Sequence, residues 1–164
     1  MMRLNIGCGS NYVDGWVNVD VNEKVYADVH ADAALLRMGD SCAEMVYLGH
    51  VLEYVHVQDA TSVLTEARRL LEPGGLLCVA GPNVGELDKT NTMHLHSYVA
   101  QSGVGYHRYL YNMHIWPWVA SQLYPLVGSV FPNSQTFTVG DLTPEWPIAS
   151  QAPWQYAVLA FKER

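Results

Sequence analysis

The chain has 164 residues, 49% hydrophobic and 15% charged, with nine Lys and Arg against sixteen Asp and Glu. That is enough for one domain with a proper core, too short for two ordinary ones and too apolar for a disordered tail. A net charge of −7 with thinly spread basic residues argues against nucleic acid as a partner, and no apolar run reaches the ~18 residues of a membrane span.

Met1-Met2-Arg3 leads straight into an apolar segment without a signal-peptide cleavage pattern, so a cytoplasmic location is expected. Cys8, Cys42 and Cys78 are odd in number and lack Cys-x-x-Cys spacing. Cys8 and Cys78 stand in apolar, strand-like context and read as small buried hydrophobes rather than redox or metal groups.

In chain order, residues 4–6 read as a first strand that breaks into Gly7-Cys8-Gly9, and residues 17–20 as a second that closes on Asp20. Glycines at the end of a parallel strand let a nucleoside-bearing cofactor approach the backbone, and a carboxylate at the end of the next takes ribose hydroxyls. The connection over residues 7–16 is short for a helical crossover and contains the turn signal Asp14-Gly15. A loop or a single helical turn is therefore expected there, leaving a bound cofactor less enclosed on that side, with Tyr12 or Trp16 to cover it or both simply packed. Residues 28–32 form a weak third segment ending at Asp32, and residues 45–48 a clear fourth strand followed by Gly49-His50.

A helix is predicted from an N-cap at Asp59, with Val63, Leu64, Ala67, Leu70 and Leu71 on one face and Arg68-Arg69 toward solvent. Pro73-Gly74-Gly75 should stop it. Residues 76–80 are apolar throughout, as in a central parallel strand buried on both faces. Residues 83–133 are rich in His, Tyr and Trp; helices are predicted at 96–101 and 116–127, the latter kinked or ended by Pro125. Residues 136–139 and 156–161 read as the last strands. The fold class is thus α/β: a Rossmann-like sheet of about seven mostly parallel strands flanked by helices, with the first crossover helix shortened or absent. The whole chain, 1–164, is read as one domain, with residues 1–83 as the cofactor-binding half and 84–164 as the acceptor-side, sheet-completing half.

The order of Leu4-Asn5-Ile6-Gly7-Cys8-Gly9, Asn18-Val19-Asp20, Asp32, His50-Val51-Leu52-Glu53-Tyr54 and Leu70-Leu71-Glu72-Pro73-Gly74-Gly75 resembles the class I S-adenosylmethionine-dependent methyltransferases, particularly the small type 11 branch. The resemblance covers about residues 3–83. It implies S-adenosyl-L-methionine as cofactor and S-adenosyl-L-homocysteine as product. It places Gly7, Cys8 and Gly9 under the methionine part, Asp20 and the adjoining Val21 at the ribose, and Asp32 and Ala33 near the adenine amino group, with Asp28 an alternative to Asp32. Gly49 and His50 fall beside the amino-acid end and the methyl. Two departures stand out: Tyr54 occupies a place where the family often has His, and Glu44 stands near a usual Asp.

Methyl transfer from a sulfonium mainly requires alignment of nucleophile, methyl and sulfur. A general base is needed only where the acceptor must lose a proton, and His50 is the best-placed candidate, either as that base or as a hydrogen-bonding group. Tyr54, His94 and His96 are candidate substrate residues. With His107 and His114 the last two invite a metal, but no Asp, Glu or Cys completes a familiar ligand set, and no metal site is expected. The aromatics Tyr98, Tyr106, Tyr109, Tyr111, Trp116 and Trp118 suit an apolar acceptor pocket, a hydrophobic cover or a homodimer surface. Two functions follow: methyl transfer to oxygen or nitrogen of a small-molecule or glycan-type acceptor, or binding of the cofactor without turnover as a partner subunit or sensor. A nicotinamide dehydrogenase fits poorly, because its fingerprint wants a glycine where Tyr12 stands and an acid about 20 residues on.

Overall fold

The structure, a computed structural model, describes residues 1–82, 120–138, 146 and 155–164. Among these, the first five strands are β1 (Met2–Ile6), β2 (Val17–Asp20), β3 (Val29–His30), β4 (Ala43–Gly49) and β5 (Leu71–Pro82). Helix α1 (Val57–Leu70) precedes β5, and α2 (Ala120–Val130), β6 (Ser134–Thr138) and β7 (Gln155–Phe161) follow it. The strands form one sheet ordered β3-β2-β1-β4-β5-β7-β6. β1 to β5 are parallel, and β7 runs antiparallel between β5 and β6. This is the Rossmann-like α/β sheet that the sequence predicts. No helix among the described residues is long and apolar enough to cross a membrane.

Period-two alternation divides the core between the two sheet faces. Leu4, Ile6, Val46, Leu48, Leu77, Val79 and Val158 point to one face and pack with Val63, Leu64 and Ala67 of α1 and Leu123 and Val127 of α2. Each such side chain contributes about 1.5–3 kcal/mol when fully buried. Met45, Tyr47, Cys78, Ala80 and Ala157 point to the other face, beneath Trp16 and Trp146. The Trp146 ring lies 6.2 Å from Trp16 and 6.4 Å from Tyr47. Trp16, which sequence left as cofactor cover or packing, is thus buried as packing.

The first crossover forms turns rather than a helix, and a buried polar network holds it. Asn5 and Asn18 are register partners across β1 and β2, and Asn5 Nδ2 donates to Asn18 Oδ1 at 2.9 Å and to the Asn11 carbonyl at 2.8 Å. Asn18 Oδ1 also accepts from the Val13 amide, while its Nδ2 donates to the carbonyls of Val13 and Trp16 and to Asp28 Oδ2. Asp28 further accepts from the Asn18 amide and from the Tyr12 hydroxyl. Those donors, the Asn18 amide first, hold the Asp28 carboxyl below its ordinary range, and the bond to Asp28 pushes the Tyr12 phenol up to about 12.

Several local expectations are corrected. α1 starts two residues before Asp59, because His56 has the extended backbone of a cap (φ −61°, ψ 138°) and its ring accepts from the Gln58 amide; Asp59 sits in the first turn, where the helix dipole favours its charge. The helix ends at Leu70, ahead of Pro73-Gly74-Gly75. Those residues instead form a bulge in β5, since Leu71 pairs with Ala43 and Leu76 with Met45. β5 is buried from Leu77 to Ala80, but Leu76 is exposed. α2 runs through Pro125 to Val130; the proline faces solvent, where water can serve the carbonyl it leaves unpaired, while Leu123 and Val127 keep the packed face intact. Arg69 does not point freely into solvent. It grips both Glu66 oxygens, Asp40 and the carbonyls of Leu36 and Met38, tying the β3–β4 connection to α1. This pairing holds the Glu66 carboxyl below its ordinary range.

The network makes two predictions. Asn18→Ala leaves Asn5 and the loop carbonyls without their partner and should cost about 3 kcal/mol, read as a lower urea midpoint at unchanged slope. Asp28 has a depressed folded-state pKa, so its stabilisation is present above the ordinary value of about 3.9 and is lost as pH falls through the folded one. Thermal midpoints measured from neutral pH into acid should therefore fall less steeply below about pH 4 for Asp28→Asn than for the wild type, from a lower start at neutral pH.

Candidate functional site

The strand order reverses between β1 and β4, and the crevice at the carboxyl ends of such strands is where open α/β sheets place ligands. β1 delivers Gly7, Cys8 and Gly9 to this edge, β2 delivers Asp20, and β4 delivers Gly49 and His50. The amides of Gly7 and Cys8 both donate to the Val19 carbonyl, at 2.7 and 3.0 Å. Gly7 and Gly9 have φ of 70° and 52°, a region costly for any residue with a Cβ. At Gly7 a Cβ would also run into Val51, whereas at Gly9 it would meet none of the described residues.

Asp20 Oδ2 accepts from the Gly9 amide and Oδ1 from the Asn22 amide, both at 2.8 Å. Each oxygen keeps a second lone pair with which to accept from a ligand hydroxyl. Val21 is half-buried next to it. Asp32 Oδ1 accepts from the Ala34 amide, capping a short turn, and Ala33 turns its methyl into the core. Asp28, the alternative to Asp32, is committed to Asn18 and Tyr12. Cys8 is buried, and burial first, then Asp20, raises its thiol to about 11, which keeps it protonated.

On the β4 side, Gly49 leaves room for the Tyr47 ring. His50 has φ 56°, a strained conformation for a non-glycine residue, and its amide donates to the Ala80 carbonyl at 2.8 Å. A 3-10 turn over Leu52–Tyr54 follows and brings Glu53 beneath His50, with Nδ1 to Oε1 at 2.8 Å. Glu53 is 2% exposed, while the imidazole is about one-third open. Tyr54 is half-buried, and burial first, then the Glu53 charge, pushes its phenol up. Sequence reasoning passed over Glu53 as a site residue. Its signal was a lone carboxylate in the apolar run from Val51 to Val55.

His94 and His96, with His107, His114 and the aromatics between Tyr98 and Trp118, lie outside the described residues. Among the described residues, no group of three His, Cys, Asp or Glu is arranged to hold a metal ion.

Residues 4–79 match a family model described as a methyltransferase domain. No curated protein matched the sequence. Among solved structures, the fold is similar to a SAM-dependent methyltransferase from Archaeoglobus fulgidus at 16% identity and TM-score 0.66, over 98% of this chain and 86% of that one. It is similar to SAM-dependent methyltransferases from Methanosarcina mazei at 14% identity and TM-score 0.66, over 99% and 92% of the two chains. It also resembles the N-methyltransferase NodS of Bradyrhizobium japonicum, at 9% identity and TM-score 0.60 over 98% and 85%. At these identities what is shared is the fold. It is the class I methyltransferase fold, which implies S-adenosyl-L-methionine as the cofactor.

The contact between Gly7 and Val51 is open to a double-mutant cycle. Gly7→Ala should cost about 2–4 kcal/mol from backbone strain and displacement of Val51. On a Val51→Ala background the same change should cost about 1–2 kcal/mol, the backbone share alone. Equal costs on both backgrounds would mean that Val51 does not limit the turn.

Proposed function

We propose that this chain is an S-adenosyl-L-methionine-dependent methyltransferase that modifies oxygen or nitrogen of a small-molecule or glycan-type acceptor. The observation that carries the reading is the direct coupling of the glycine turn to Asp20 at the switch point, with open space over Gly9 among the described residues. The residues there suit the cofactor. The Gly7-Cys8-Gly9 backbone offers close approach to its methionine part, and Asp20 accepts from its ribose hydroxyls, with Val21 alongside. Asp32 and the backbone at Ala33 serve the adenine end, and Gly49 and His50 the methyl end. When bound, the cofactor supplies an activated methyl group.

The chain's own residues then hold the acceptor and handle its proton. A hydroxyl must shed its proton as it attacks, and His50 Nε2 receives it; a neutral amine brings its lone pair ready-made and asks less of the base. Tyr54, beside Glu53, is assigned to the acceptor, together with His94 and His96. The net charge of −7 fits a small-molecule acceptor better than a nucleic acid.

Titration calorimetry with S-adenosyl-L-methionine and S-adenosyl-L-homocysteine tests the proposal. Both should bind the wild type, and Asp20→Ala, losing two charge-assisted hydrogen bonds, should weaken each by about 100-fold. A folded wild-type protein that binds neither would overturn the reading.

A further inference from the structure

Glu53 is the most deeply buried carboxylate among the described residues, in a stretch where Val51, Leu52 and Val55 are all core. Burying a carboxylate is costly unless a partner compensates it. Arg69 compensates Glu66, but no Arg or Lys pairs with Glu53 among the described residues. Its partner is the imidazole of His50, at 2.8 Å. The pairing follows from local backbone geometry. His50 stands just ahead of the 3-10 turn, and its left-handed φ, with its amide held on Ala80, lets its ring reach Glu53 within that turn. Gly81 sits against the other carboxylate oxygen, 3.7 Å from where a Cβ would stand.

We infer that Glu53 is a positioning residue: it locks neutral His50 in the tautomer protonated on Nδ1 and so puts the ring's lone pair on Nε2, at the mouth of β4. A carboxylate on one ring nitrogen fixes both the orientation of an imidazole and the nitrogen that can take a proton. An ionised carboxylate oxygen can only accept, so opposite one Nδ1 must donate. The inference rests on the methyltransferase reading for its purpose, proton removal from the acceptor, but not for its chemistry.

Nitrogen-15 NMR of the imidazole rings in the whole protein tests it, at a pH where the ring is neutral, with the His50 signal assigned by its loss in His50→Gln. Wild-type His50 should show a protonated Nδ1 and an unprotonated Nε2, in a preference of roughly tenfold or more. Glu53→Leu removes the acceptor and should lose that preference; Glu53→Gln, whose amide oxygen can accept, should restore it. A wild-type ring protonated on Nε2 overturns the inference without any variant, even if both variants fail to fold. So does a Glu53→Leu spectrum that keeps the wild-type tautomer. Binding of S-adenosyl-L-homocysteine to the wild type is read separately by calorimetry, so the cofactor reading and the Glu53 inference can fail independently.

Discussion

The carboxamide of Asn18 is the constraint on which the cofactor-side edge of the sheet depends. A parallel crossover normally brings a helix whose own hydrogen bonds satisfy its backbone. Here the connection between β1 and β2 is too short for one, and its backbone groups need partners from elsewhere. Asn18 serves the amide of Val13 and the carbonyls of Val13 and Trp16, and Asn5 serves Asn11 from the neighbouring strand. Both side chains project from the sheet face that Tyr47 and Cys78 share farther along the same row. Trp16 is thereby set down over that face as apolar cover.

From that anchor the site assembles by short links. With the loop fixed, Val19 holds the amides of Gly7 and Cys8, and Asp20 holds Gly9. The glycine turn and the acid therefore move as one unit. On the other side of the crevice the geometry comes from strain rather than from a polar network: His50 sits in an unfavoured backbone region and is kept there by Ala80 and by Glu53. One wall is rigid because it is well satisfied, the other because competing forces balance on it.

Much of the first half was legible. Short apolar runs bounded by glycines and Asp-Gly marked β1, β2 and β4, and β2 is Val17–Asp20 as read. The short first crossover could be read from its length alone. The interior network could not, although an Asn within each of two apolar strands was the trace it left, since Asn is depleted in strands. At α1, propensity favoured Asp59 as cap, but backbone conformation, not residue type alone, decides which residue caps. Pro125 does not end α2 for a related reason: the cost of a helical proline depends on what its neighbour's carbonyl faces, which sequence does not state. The antiparallel seat of β7 also left no mark, because both faces of a buried strand are apolar whichever way it runs.

That seat has a consequence for how the molecule is made. Among the described residues β6 pairs with β7 alone, and β7 fills the place beside β5. Until residues 155–161 arrive, β5 presents an open edge and β6 has no neighbour. The pairing of Leu76 with Phe161 spans about half of the chain, and closing so long a loop is slow compared with forming the parallel strands before it. During synthesis the nascent chain therefore carries an uncovered strand edge from the completion of β5 until β7 arrives, the interval in which association with other chains is the main hazard.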